Sequence, residues 1–288
     1  MLAPDELRDK AFQFVQSLAA DLSRDDLELP GFPDSVMQLH TALSDENTSV
    51  KDIVSLVNAE PALAAQLIKL ANSAAFNTSG WEVADPRVAV THLGFNVVRS
   101  TATAFAMRQL EQQDWLQPVR PALAVIWSRS NGVAAICHAL GKHVEGVKPD
   151  EAMATGLFHQ LGNLYLVTRA HKEGIEVTNN PSWEEVISGW HPTIARAIIE
   201  NWGMPDHVAE AAENQDVLLN DDAAEASLSL LSRLLSAAKL QDSLAQQGQV
   251  DGSETETILA GVKLSGTSFT DLVTEYQTDI DALRASIG

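Results

Sequence analysis

The chain has 288 residues, of which 45% are hydrophobic and 20% charged, enough apolar material for one large core or two packed subdomains. Its 39 acidic and 19 basic residues give a formal net charge of −20, which disfavours binding to nucleic acid and to anionic membrane surfaces. No apolar run approaches the roughly 20 residues that span a bilayer, and the acidic start is unlike a secretory signal. Cys137 is the single cysteine, which fits a reducing compartment, so we expect a cytoplasmic protein with no membrane insertion.

Apolar residues recur at helical spacing through the first half of the chain, which predicts a series of helices. The signals that open them are prolines suited to a first helical turn and polar capping residues. Ser49 and Asp52, for example, form a capping box with aspartate in place of the usual glutamate. The predicted helices lie in residues 5–20, after Leu29–Pro33, after Ser49, from Pro61, and after Asp85, the last running to Gly94 and then onward through Met107.

The second half is predicted to be helical too, after a break at Pro118 and Pro121. Ser182 and Glu185 form a second capping box. No run alternates between apolar and polar residues with turn signals at its ends, so no sheet is expected. The predicted helices cover about 123–143, Pro149 through Leu161, the segment after Ser182, 194–199, 208–212, 223–240, and the segment from Ser268 through Leu283, with 241–253 as a loop.

The fold class that these patterns predict is all-α. The clearest seam is Gln112–Pro121, where polar residues and two prolines separate an N-terminal bundle from the rest. Cys137 is interpreted as a small core residue rather than a nucleophile. Trp183, Trp190 and Trp202 are interpreted as packing between helices, with a ligand or partner surface as the alternative.

Four segments resemble the HDOD domain family, and together they cover roughly residues 22–240. Leu29–Pro33 is similar to the opening of these domains, and Glu60–Ala74 contains the distinctive pair Asn72-Ser73. Val88–Gly94 is similar to the helix pair that follows in the family. Glu151–Gly162 resembles the core of the HD superfamily, in which a histidine and an aspartate stand between Gly-Leu and Gly.

This resemblance implies an all-α, HD-related helical bundle with two packed helical subdomains. The expected division is an N-terminal helix at 1–21, an N-terminal subdomain at 22–111, an HD-like subdomain at 112–240 and a C-terminal helical extension at 241–288. The family acts in bacterial signalling, usually as an output or adaptor module. Its expected partners are sensor kinases, receiver domains of response regulators, or cyclic-dinucleotide enzymes.

The resemblance also implies where a metal site would lie, because HD hydrolases hold divalent metal with an early His, the adjacent His-Asp pair and a distant Asp. Here Arg129 stands about where the first His is expected, and His159 is followed by Gln160 instead of Asp. Ser236 lies near the expected last Asp, while His191 is retained where some relatives have a histidine. A guanidinium repels a dication, and an amide brings no charge to offset it. We therefore expect no metal cofactor and no catalytic residues.

Alternatives remain open for His159, for the function and for the Asn72-Ser73 pair. His159 is either a hydrogen-bonded core histidine or part of a relic cleft with Arg129, Gln160 and His191 that binds a small anion. The leading function is a non-catalytic signalling module that acts through protein contacts, a pseudoenzyme by descent. The alternatives are a phosphohydrolase or phosphodiesterase that recruits other carboxylates, such as Glu213 or Asp216, and a small-ligand sensor. Asn72-Ser73 either marks a partner surface or bridges helices internally.

Overall fold

The structure, a computed structural model, describes most of the chain. Everything below concerns the described residues, which are 4–22, 27, 29–45, 47–77, 80–175, 181–217, 228–247 and 254–287.

The N-terminal half consists of helices whose starts follow local signals. Ser49 and Asp52 form the predicted capping box, with both reciprocal hydrogen bonds present. Asp85 caps the helix that begins at Pro86 by accepting a hydrogen bond from the backbone N–H of Arg87. This same long helix bends at Gly94, whose φ of 78° lies in the left-handed region. These helices are α1 (Pro4–Leu22), α2 (Asp34–Ser44), α3 (Val50–Ala59), α4 (Pro61–Ala71) and α5 (Pro86–Glu111).

The C-terminal half is helical as well, apart from one very short hairpin. A 3-10 helix at Asp114–Val119 fills the predicted seam, and a second one spans Asn214–Asp216. The helices are α6 (Arg120–Gly141), α7 (Pro149–Phe158), α8 (Leu161–Lys172), α9 (Pro181–Asn201), α10 (Asp206–Glu213), α11 (Leu230–Gln247), α12 (Glu254–Gly261), α13 (Phe269–Glu275) and α14 (Gln277–Ile287). The hairpin strands are β1 (Lys263–Leu264) and β2 (Thr267–Ser268). The all-α prediction is thus confirmed.

Several predicted boundaries in this half were wrong. The predicted loop at 241–253 is helical up to Gln247, and α12 was not predicted. The hairpin was not predicted because its strands are too short to show alternation; the Ser265–Gly266 turn forms it by supplying positive φ at both central residues. The predicted helix at 194–199 is part of the continuous α9, and the last predicted helix is two helices. Residues 223–227 and the side chains of the second capping box lie outside the described residues.

Helix α5 connects the two halves of the molecule, because it contacts α2, α3 and α4 on one side and α6 and α7 on the other. Helices α6 and α7 form a very close pair. A Cβ on Gly156 would lie only 2.7 Å from the Cα of Ala134, so only glycine permits this approach. Cys137 is buried in the same region, as predicted for a core residue.

The three tryptophans predicted to pack between helices do so to different extents. Trp183 and Trp202 are buried, and Trp190 is half-buried against the core. Asn72 bridges segments internally, because its side chain pairs with both the N–H and the C=O of Val83, at 2.8 and 2.6 Å. These contacts support the interpretation that Asn72 bridges segments inside the protein.

A buried arginine joins the two halves. Arg99, on α5, is 5% exposed, and its guanidinium donates hydrogen bonds to the carbonyl oxygens of Leu43 at 2.7 Å and Trp202 at 3.1 Å. These carbonyls belong to the C-terminal ends of α2 and α9, where helix carbonyls lack intrahelical partners. Ser44 Oγ also donates to the Trp202 carbonyl, at 2.8 Å. Burial lowers the pKa of Arg99 below its ordinary value.

Replacing this arginine should destabilise the protein substantially. We expect Arg99→Met to lower the free energy of unfolding by about 2–3 kcal/mol, because the Leu43 carbonyl loses its charged donor at a buried helix end. Arg99→Lys should recover only part of the loss, since a lysine cannot reproduce the fork that reaches both helix ends. Urea unfolding measures both variants. Arg87→Met, on the exposed first turn of the same helix, is the control and should change stability by less than about 0.5 kcal/mol.

No single described helix has both the length and the apolar character needed to cross a membrane. The pair α3 and α4 meets that criterion only when taken together, and the two helices meet at an angle of 117°.

Candidate functional site

The turn between α7 and α8 carries His159 and Gln160, and both are buried. His159 Nδ1–H donates to the carbonyl oxygen of Gly156 at 2.7 Å, which leaves Nε2 as the unprotonated nitrogen of a neutral ring. Burial lowers the pKa of His159 to about 3, and the positive charge of Lys239 adds to this effect. The imidazole is therefore neutral at physiological pH.

Gln215 connects this turn to the rest of the site. Its side chain lies on the 3-10 helix after α10 and is buried. Its Nε2 donates to the carbonyl oxygens of His159 at 2.9 Å and Ala212 at 2.7 Å. Its Oε1 accepts a hydrogen bond from Lys239 Nζ at 2.9 Å. The Gln215 side chain therefore links the His159 turn to Lys239.

The Lys239 ammonium, on α11, is the central charge of the site. It donates to Asp216 Oδ1 at 2.6 Å and to the backbone oxygen of Gln215 at 3.2 Å, in addition to the Gln215 side chain. Asp216 Oδ2 in turn accepts a hydrogen bond from His191 Nε2 at 2.9 Å. Burial acts to raise the pKa of Asp216, but His191 and Lys239 outweigh it and lower the pKa below its ordinary value. The carboxylate is thus ionised and engaged on both oxygens.

The four predicted site residues have different places in this arrangement. His159 and His191 are both buried and are joined through Gln215, Lys239 and Asp216. Gln160 accepts a hydrogen bond from Asn163 at 2.6 Å. Arg129 is exposed on α6, close enough that its charge helps to lower the pKa of Lys239, where burial is the main cause.

Sequence reasoning missed Lys239, although a signal for it exists. Ser236, near the expected last aspartate, lies three residues before Lys239 and so on the same face of α11. Ser236 Oγ lies 3.5 Å from the Gln215 carbonyl oxygen, at the limit of hydrogen bonding. This spacing places the lysine on the same face of α11 as Ser236, but it does not show which groups the lysine contacts.

The donor set at this site does not suit a divalent metal. Within the residues that the structure describes, no group of three or more His, Cys, Asp or Glu side chains could hold an ion. The one carboxylate next to His191 is already neutralised by Lys239, with a second cation, Arg129, nearby. A dication would have to displace an ammonium that makes three hydrogen bonds.

Gly162 sets the position of His191 relative to this turn. A Cβ at Gly162, in the first turn of α8, would lie 1.9 Å from the backbone oxygen of His191 on α9. No side chain fits in that space, so only glycine lets the two helices approach this closely. The glycine that ends the HD-like segment thus acts by permitting contact between backbones.

Comparison with known proteins gives a family and a fold. The sequence model of the HDOD domain matches residues 29–218. A Shewanella amazonensis SB2B protein with the provisional name metal-dependent phosphohydrolase is 24% identical, with a TM-score of 0.72 over 97% of this chain and 100% of that one. An HDOD domain protein of unknown function from Geobacter sulfurreducens is 19% identical, with a TM-score of 0.58 over 94% of this chain and 96% of that one.

A Marinobacter aquaeolei VT8 protein, provisionally named a signal transduction protein, is 23% identical, with a TM-score of 0.54 over 96% of this chain and 66% of that one. No curated protein matches the chain significantly. At these identities the structural likenesses show the fold, which is the HD-related helical bundle expected from the sequence. Because the family match spans well over half of the sequence, the chain belongs to the HDOD domain family.

Proposed function

We propose that this protein is a non-catalytic signal-transduction module that acts through protein contacts. The observation that carries the proposal is the Lys239 ammonium, held by Gln215 and Asp216 beside the His159 turn. A fixed positive charge at this place does the electrostatic work of balancing Asp216 that a metal ion would otherwise do. In this proposal the relic of the hydrolase site has become a structural network, in which His159 is a core histidine.

The arrangement also argues against a phosphohydrolase with substitute ligands. Asp216 is bound by His191 and Lys239, and Glu213 pairs with Arg196. Recruiting either carboxylate to a metal would break an existing ion pair. The positive charges of Lys239 and Arg196 would also repel the incoming metal ion.

The signalling part of the proposal rests on the family and on the provisional name of the Marinobacter protein as a signal transduction protein. We propose that the module works in a bacterial two-component or cyclic-dinucleotide pathway. Its partner would be a sensor kinase, a receiver domain of a response regulator or a cyclic-dinucleotide enzyme, in the cytoplasm. A partner could act by biasing the packing of an N-terminal subdomain at 22–111 against an HD-like subdomain at 112–240, since Arg99 bridges helix ends from both.

Metal analysis tests the proposal directly. Protein purified without added metal or chelator should contain less than about 0.1 equivalent of Mn, Fe, Ni, Zn or Mg, because the ammonium already neutralises the only carboxylate in the network. Elemental mass spectrometry gives this content. Near-stoichiometric transition metal in the native protein that is lost in His159→Ala would contradict the proposal and would justify a screen of phosphate esters.

A further inference from the structure

A cavity at the other end of α5 from Gly94 is lined by residues far in sequence from the His159 network, and its lining residues differ from those of the network. It has a volume of about 760 Å³ and lies between α4, the C-terminal half of α5 and the end of α14. The residues that matter for its chemistry are Gln66 and Lys69 on α4, and Phe105, Arg108, Gln109 and Gln112 on or at the end of α5.

The charge of the cavity wall is opposite to that of the protein. The chain carries 39 acidic and 19 basic residues, yet the ionisable side chains that line the cavity are Lys69 and Arg108, with no carboxylate side chain among the lining residues. With about two acidic residues for each basic one, the surface is acidic on average. Two cationic residues lining one cavity in an otherwise acidic protein attract an anion to this place, and guanidinium and ammonium groups are the usual partners of phosphate.

The other lining residues suggest what accompanies the negative charge. Gln109 and Gln112 present carboxamides, which both donate and accept hydrogen bonds, as the edge of a heterocyclic base requires. Phe105 and two alanines of α4 add apolar surface on which a flat ring can lie. The volume falls within the range of about 300–1,000 Å³ that is typical of small-molecule sites.

We propose that this cavity binds a small phosphate-bearing ligand of the nucleotide class. Lys69 and Arg108 contact the phosphate, and the carboxamides contact the base. This binding site is separate from the His159 network, so it can exist whether or not the module is catalytic.

The site is also connected to the C-terminal helix. Lys69 Nζ donates to the carbonyl oxygen of Ala285, and Gln66 Nε2 donates to that of Ile287, both at 3.3 Å, so two lining residues hold the end of α14. A phosphate that recruits Lys69 competes with the Ala285 carbonyl for the same ammonium. On the same helix, Arg284 donates to the buried Asp242 of α11 at 2.7 Å. Ligand binding would therefore change the contacts of α14, a helix that also contacts α11.

Tryptophan fluorescence gives a local signal for the test, because the Arg108 guanidinium lies 5.8 Å from the ring centre of Trp127. The probes are AMP, GMP, cyclic di-GMP and pyrophosphate, titrated into the full chain and checked by calorimetry. We expect at least one nucleotide to bind with a Kd below about 1 mM and to change the fluorescence, and we expect Trp127→Phe to reduce the signal but not the heat.

Three variants make the test specific. Arg108→Gln removes one cation, and Gln112→Glu introduces a carboxylate at an exposed position; each should raise the Kd about tenfold or more. Arg87→Gln is the matched control, because it makes the same charge change on the exposed first turn of the same helix, and it should leave the Kd within about twofold. Far-ultraviolet circular dichroism confirms that each variant is folded.

Three outcomes would overturn the proposal. The first is the absence of binding by all probes up to about 1 mM. The second is equal weakening by Arg87→Gln and Arg108→Gln, which would indicate attraction by overall charge alone. The third is binding of pyrophosphate as tightly as every nucleotide, since the carboxamides would then have no base to contact. Metal content changes none of these readouts, so failure here is distinct from failure of the proposed function.

Discussion

We expect three buried histidines, which remain neutral in the folded chain, to contribute a loss of about 6 kcal/mol in the free energy of unfolding between about pH 8 and pH 5. Burial lowers the pKa of His40 to about 3, of His138 to about 4 and of His159 to about 3. Nearby positive charges act in the same direction: Arg99 at His40, Lys142 at His138 and Lys239 at His159. The hydrogen bonds to the Pro149 carbonyl at His138 and to the Gly156 carbonyl at His159 oppose these shifts in pKa, as does the negative charge of Asp216 at His159.

The direction of this effect follows from proton uptake. In the unfolded chain each of these histidines binds a proton as the pH falls through about 6.5, whereas the folded protein does not until about pH 3–4. The unfolded state therefore holds more protons throughout that interval. The stability that the neutral rings confer is complete above about pH 6.5 and is lost as the pH falls towards 4, at about 2 kcal/mol per histidine by pH 5.

Urea unfolding at a series of pH values, followed by circular dichroism, measures this loss. The net charge of −20 becomes less negative over the same interval, which reduces self-repulsion and acts in the opposite direction. Single variants separate the two effects. His138→Gln, which keeps a donor for the Pro149 carbonyl, should reduce the pH dependence by about one proton. A stability that stays constant from pH 7 to 5 in the native chain would contradict the explanation.

The starts of helices could be predicted from the sequence where the signal is local. Ser49 and Asp52 lie within one turn of each other, so their capping box is visible in four residues. The course of α11 depends instead on distant contacts. Asp242 lies in the stretch predicted to be a loop, but it is buried because Arg284, 42 residues later, pairs with it. A Cβ at Gly132 of α6 would lie 1.9 Å from Asp242 Oδ1, so a third element also makes room for the pair.

The candidate site shows the same limit. Family resemblance directed attention to Arg129, His159, Gln160 and His191, and both histidines do lie in one hydrogen-bonded network. The resemblance to the family did not indicate Lys239, the cation that links the two histidines in this network. The Lys239–Gln215 contact joins residues 24 positions apart on different helices, and no local pattern distinguishes this lysine from an exposed one. Lys239 is the cation bonded to the network, whereas Arg129 acts on it from the surface.

The second large effect on stability should come from adding a single methyl group at Gly162. We expect Gly162→Ala to lower the free energy of unfolding by about 3–5 kcal/mol, because the added methyl would lie 1.9 Å from the His191 backbone oxygen. A flexible side chain could move aside, but a backbone carbonyl within a helix cannot move without shifting α9. Helix propensity alone would make Gly162→Ala stabilising by up to about 1 kcal/mol. A decrease in the free energy of unfolding would therefore identify the steric clash as the cause.

Gly189→Ala is the matched control, because this second helical glycine lies on α9 itself and a Cβ there would meet no atom within 4 Å. It should stabilise the protein by up to about 1 kcal/mol. Chemical denaturation compares the two variants in the same background. If Gly162→Ala were as stable as Gly189→Ala, α8 and α9 could separate at little cost, and the position of His191 against Asp216 would not be fixed by helix packing. A large loss at Gly162 alone would mean that the glycine ending the HD-like segment is required for packing, independently of any catalytic role.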